Sequence, residues 1–182
     1  MSFPAHPFWD FSRRFYRKPG VADACLFVQD RYGLNVNLIM LCVWLAKTGG
    51  GVLATGKITA ALQRISDWEF SVIKPLREIR RVCRHEALGI PEFLLQLFQP
   101  EVENTELEAE HVEQLVLAEF ARGLSPADGS DTPADDAAQS LKNYVDALDI
   151  QQDAQLTECL SIILQAAFDG ARFPGGDAQT SG

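Results

Sequence analysis

The chain has 182 residues, a length that a single domain accommodates, and its 47% hydrophobic content, with 11 Phe and 3 Trp, is enough apolar material for a packed core. Such a composition excludes a disordered chain and a disulfide-stapled one. The formal net charge of −9 conceals an asymmetry: residues 1–90 carry 13 Lys and Arg against 7 Asp and Glu (+6), and residues 91–182 carry 3 against 18 (−15), which argues against nucleic acid as a partner of the whole chain but leaves the first half able to hold anions.

Apolar residues recur at threes and fours almost throughout, so the fold class expected is all-α, a compact bundle of six to eight helices. A first helix spans about Pro7 to Lys18, aromatic and basic, and Pro19-Gly20 stops it. A second runs from about Val21 to Tyr32 with Gly33 as its C-terminal cap, and a third, Asn35 to Lys47, is apolar nearly all round, the mark of a central helix. After Gly49, Gly50 and Gly51 comes a short helix, about Lys57 to Ile65. Ser66 and Glu69 have the spacing of a capping box for the next helix, which runs toward Arg84 and is expected to kink or break at Pro75. Pro91 to Arg122 reads as two helices divided at Pro100.

The expected organisation is therefore a helical core over residues 1–122, a flexible acidic linker over 123–136, a C-terminal helical pair over 137–168 and a disordered tail over 169–182. Cys25, Cys42, Cys83 and Cys159 stand far apart without zinc-ligand spacing, which reads as free thiols in a reducing compartment. The N-terminus lacks the continuous apolar stretch of a signal peptide, and the longest apolar run, Leu38 to Ala46, is about half of the roughly 18 residues that span a bilayer. The expectation is a cytoplasmic protein with no membrane span.

Several residue patterns carry chemical readings, each with a plainer competitor. Gly51-Val52-Leu53-Ala54-Thr55-Gly56-Lys57-Ile58 matches a P-loop except at its last position, where Ile58 cannot ligate Mg²⁺; it reads instead as an interhelical loop. Lys74, Arg77, Arg80, Arg81 and Arg84 lie at helical spacing and could hold phosphate groups or an acidic partner surface, or pair internally with the carboxylates between Glu101 and Glu113. Gln29 lies near an apolar stripe and Asn37 on an all-apolar helix, so each needs a polar partner, from a neighbouring element or from a ligand. Asp23 and Asp30, seven apart, are too sparse for a metal–diphosphate motif, and the single E-x-x-H at Glu108 and His111 lacks the second copy a di-iron bundle requires. No catalytic set can be assembled from three histidines, so neither a catalytic residue nor a metal or other cofactor is expected.

One ordered string is more specific: Phe8-Trp9-Asp10-Phe11, Tyr16, Pro19-Gly20-Val21, Cys25-Leu26, Gln29-Asp30, Gly33, Val36-Asn37 and Trp44, then Trp68, Val72, Pro75-Leu76-Arg77 and Arg80-Arg81. Over roughly residues 5–115 it resembles the proteobacterial proteins grouped as domain of unknown function 2390. The resemblance implies no activity, but it selects polar positions, among them Gln29, Asp30, Asn37, Arg77, Arg80 and Arg81. Two functional expectations follow. The first is a noncatalytic interaction or adaptor module, docking a protein partner through the face Lys74, Arg77, Arg80, Arg81 and Arg84 or through the aromatic first helix. The second is a small-molecule site, for an anionic or phosphorylated ligand, lined by Gln29, Asp30, Asn37, Trp44 and Arg77.

Overall fold

The structure, a computed structural model, describes residues 3–85, 89–124 and 132–175. Among them every regular element is helical: α1 (Pro7–Tyr16), α2 (Val21–Tyr32), α3 (Val36–Lys47), α4 (Thr55–Trp68), a π-helical turn (Glu69–Ile73), α5 (Lys74–His85), α6 (Glu92–Arg122), α7 (Pro133–Ala147) and α8 (Ala154–Ala167). The fold is all-α, as the 3.6-residue periodicity requires.

Helix α3 is the centre. Nine of its residues, including the run Leu38 to Val43, are buried, and α1, α2, α6 and α7 all pack on it. It starts where Asn35 turns its side chain back to accept the Leu38 N–H at 3.0 Å. Helix α2 ends at Gly33, whose φ of +70° lets its N–H reach the Gln29 carbonyl while the Leu34 N–H reaches Val28. Gly20, at φ +76°, opens α2 where a Cβ would stand 3.2 Å from Ile162 on α8, so the backbone conformation and the close approach both favour glycine.

The capping box expected at Ser66 and the division expected at Pro100 are corrected. Helix α4 does not stop at Ser66, whose hydroxyl donates to the Gln63 carbonyl instead of capping a new helix. The chain runs on through the π turn into α5, the Lys74 N–H bonding back to Glu69. Pro75, which has no N–H to give the preceding turn, follows directly, and the wider turn absorbs the mismatch. Pro100 does not divide α6 either. Pro100 and Gln96 are both exposed, so the carbonyl that loses its donor lies on the water side.

Half of the expected acidic linker, residues 125–131, lies outside the described residues, but its last part is helix: Thr132 caps α7 by accepting the Asp135 N–H, and Pro133 takes the first helical position. Helix α7 lies on α3 and α4, α8 lies on α2, and their buried faces belong to one continuous core with the N-terminal helices. The loop over residues 49–54 is held to α7 at Leu53, whose N–H donates to Ser140 and whose carbonyl accepts from Asn143. That clamp gives the near-P-loop a structural purpose. Beyond α8, Phe173 is buried and its N–H donates to Ser161, so the expected tail is ordered at least that far: an aromatic ring returned to the core outweighs the entropy of a few residues. The rest of that tail, residues 176–182, lies outside the described residues.

A polar cleft between five helices

The buried stripe of α6 changes character along the helix. Val102, Ala109, Leu117, Ala118 and Ala121 are apolar core, but Glu106, His111, Glu113 and Gln114 are buried as well. Buried carboxyl and amide groups need partners, and those of α6 find them on α3 and α5. Glu113 Oε1 accepts from both Asn35 Nδ2 (2.8 Å) and Asn37 Nδ2 (2.9 Å), and Gln114 donates to Asn37 Oδ1 at 2.7 Å. Burial pushes the Glu113 carboxyl up, against the pull of those two amides.

One turn earlier, the α5 arginines meet the α6 carboxylates. Arg80 grips Glu106 with two hydrogen bonds, at 2.6 and 3.2 Å, which hold its guanidinium above its ordinary value. Arg77 lies 2.8 Å from Glu110 and 3.6 Å from Glu106, and Arg84 lies 2.6 Å from Glu103. Burial raises the Glu110 carboxyl although Arg77 opposes it.

These groups form one wall of a cleft of about 470 Å³ between α1, α2, α3, α5 and α6. The opposite wall is α1, which presents Trp9, Ser12, Arg13, Tyr16 and Arg17 at helical spacing. Trp9 is fixed from behind by His111, their rings stacked 4.1 Å apart and nearly parallel, and the Arg13 guanidinium stands 6.0 Å over its centroid. Burial pushes the Tyr16 hydroxyl up to about 12, so it remains a neutral donor across the physiological range. Apolar surface comes from Leu26, Val36, Met40 and Leu107. Two buried polar atoms of the lining, Ser12 Oγ and Gln114 Oε1, have no hydrogen-bond partner among the described residues.

Residues 7–117 match the family described as proteins of unknown function, DUF2390. The chain belongs to that family. No curated protein and no solved structure matches it. In this DUF2390 protein the matched segment contains all five helices that line the cleft, from α1 to most of α6.

Of the residues singled out from the sequence, Gln29, Asn37 and Arg77 line the cleft, together with Arg80 and Arg84. Asp30 and Trp44 do not. Asp30 is an exposed carboxylate 3.9 Å from Arg81, and Trp44 packs on Phe8 and His6 instead. The basic stripe divides in the same way: Lys74 and Arg81 face solvent, paired loosely with Glu69 and Glu78, while Arg77, Arg80 and Arg84 turn toward α6. Arg13, Arg17, Ser12 and Gln114 were missed as site residues. The spacing of the two α1 arginines was visible, but nothing in it shows that α1 faces α5. Among the described residues no group of three His, Cys, Asp or Glu side chains could hold a metal ion, and no helix is long and apolar enough to cross a membrane.

Proposed function

We propose that the cleft binds a small organic anion, a carboxylate or phosphate carried on an apolar body. The observation that carries this is the charge of the lining: five arginines, Arg13, Arg17, Arg77, Arg80 and Arg84, face three carboxylates, Glu103, Glu106 and Glu110, in a chain whose net charge is −9. The three carboxylates each pair with an α5 arginine, which leaves Arg13 and Arg17 on α1 as cations for an oxyanion. Trp9, Leu26 and Leu107 supply a surface for the apolar body, and the unpartnered Ser12 and Gln114 oxygens supply polar contacts. The chain's four free cysteines, with burial pushing the Cys25 and Cys42 thiols up to about 12 and so keeping them protonated, accord with the cytoplasm as its compartment.

Phenyl phosphate and octanoate serve as probes. Each is expected to raise the melting temperature of the wild type, and the shift is expected to fall by more than half in Arg13→Gln with Arg17→Gln, both exposed positions. Native mass spectrometry of protein purified gently from its host is expected to show a retained small molecule. No shift with either probe, together with a bare apo mass, would refute the reading. An interaction role has separate support, not from the basic stripe, whose inner arginines are engaged with α6, but from the apolar start of α6.

A further inference from the structure

From residue 89 to residue 101 only Leu95 and Gln99 are even half-buried. The exposed residues include Ile90, Phe93, Leu94, Leu97 and Phe98, with Phe93 63% and Leu97 71% accessible. At 100° per residue Phe93, Leu94, Leu97 and Phe98 share one side of the helix, and that side is not the one turned to α5, where Leu95, Gln99 and Val102 lie. With Ile90, their combined exposed area is on the order of 500 Å², at the upper end of what a monomer leaves open in one patch.

The order of these residues reads the same in both directions: Phe93-Leu94, two intervening residues, Leu97-Phe98. A two-fold axis running beside the helix and perpendicular to it, level with the midpoint between Leu95 and Gln96, brings Phe93 level with Phe98 of a second copy and Leu94 level with Leu97. We infer that this face is covered by a second copy of the chain, the two α6 starts packed antiparallel so that Phe93 meets Phe98 and Leu94 meets Leu97 of the other copy. Three further observations select this occupant. Two patches of this size bury about 1,000 Å² together, the lower limit for a specific interface. The same axis carries Glu101 to the other copy's Ile90 and Pro91, where no side chain caps the start of α6 and its free N–H groups favour a carboxylate. Glu92 lies on the far side of the helix and does not oppose it. An anionic lipid surface is disfavoured by the net charge of −9. The contact is isologous and closes as a dimer without using the cleft.

Sedimentation velocity of the full chain over a range of concentrations tests this. The wild type is expected to dimerise, and Leu97→Glu and Leu94→Lys to weaken dimerisation about a hundredfold each while circular dichroism and melting temperature remain those of the wild-type monomer. An equimolar mixture of the two variants is expected to dimerise at least tenfold more tightly than either alone. Only an antiparallel pair sets the introduced lysine of one chain against the introduced glutamate of the other while keeping a leucine contact between the two unsubstituted positions. A wild type that stays monomeric at about 100 µM, far above any micromolar affinity, overturns the proposal. So does a dimer indifferent to both variants, or a mixture that shows no gain. A monomeric wild type that floats with neutral phosphatidylcholine vesicles, lost in Leu97→Glu, assigns the face to lipid instead.

Discussion

Along α6, the residues from Glu106 to Gln114 include a cluster that is polar and buried, while those from Phe93 to Phe98 are largely apolar and exposed. The two regions belong to one helix, and each reverses the ordinary relation between polarity and burial. The reversals have different costs. A buried carboxyl or amide must be matched group by group, as Glu113 Oε1 and the amide nitrogens of Asn35, Asn37 and Gln114 are between the start of α3 and α6. An exposed apolar face requires no particular partner in the monomer; it forgoes the gain of being covered, about 25 cal/mol per Å². The polar region is therefore where the fold is most sensitive to substitution. The apolar region is where it is least sensitive and where association is decided.

The sharpest test of that contrast is at Glu113. Glu113→Leu strands the amide donors of Asn35 and Asn37, each costing about 1–3 kcal/mol, and the buried leucine offsets part of this. A net loss of about 3 kcal/mol is expected in urea unfolding. Asn35 also caps α3, so amide exchange at the start of α3 is expected to accelerate more than at α8.

A smaller effect separates the charge of Glu113 from its hydrogen bonds. Its carboxyl is raised above the ordinary value of 4.5 by burial, so over the interval above 4.5 the native state holds a proton that the unfolded chain releases. The stability this group contributes is full below about 4.5 and is lost as pH rises through the raised value. Gln in its place keeps an acceptor for the two asparagines and has no proton to lose. Glu113→Gln should therefore gain in melting temperature on the wild type as pH rises from about 4.5 to about 8, by an amount that levels off once the wild-type carboxyl has ionised. A constant difference across that range would show that the Glu113 carboxyl binds its proton no more tightly in the folded protein than in the unfolded chain.

Much of this was legible from spacing alone. The apolar period marked the helical stretches, though not every boundary between them, Gly33 announced the end of α2, and Asn37 and Gln29 stood out because a polar group on an apolar helix has to be matched by something. The basic stripe and the carboxylates of α6 were both visible, and their mutual pairing was one of the two readings open. Other features depend on what faces what. Pro75 reads as a break until a π turn is available to absorb it, and Pro100 until it is seen to face water. Trp44 and Asp30 sit in the same local pattern as Asn37 and Gln29, yet their directions about the helix take one to Phe8 and the other to solvent. Arg13 and Arg17 join the cleft only because α1 folds back across α6, a contact with no trace in the local sequence.

The smallest expected effect is at the apolar start of α6, and its smallness is the point. Leu97→Ser removes an isobutyl group from a side chain that is 71% accessible, so there is little burial to lose and no cavity to leave. Serine has a lower helix propensity than leucine by a few tenths of a kcal/mol, and Pro100 already weakens this part of the ladder. At dilutions where the chain is monomeric, the unfolding free energy should therefore change by less than about 0.5 kcal/mol. As concentration rises, a gap should open in favour of the wild type, because a dimer adds its association free energy to the folded state and Leu97→Ser reduces that term. A loss of several kcal/mol already present at high dilution would mean that Leu97 is packed within its own chain, and the contrast between the two regions of α6 would fail.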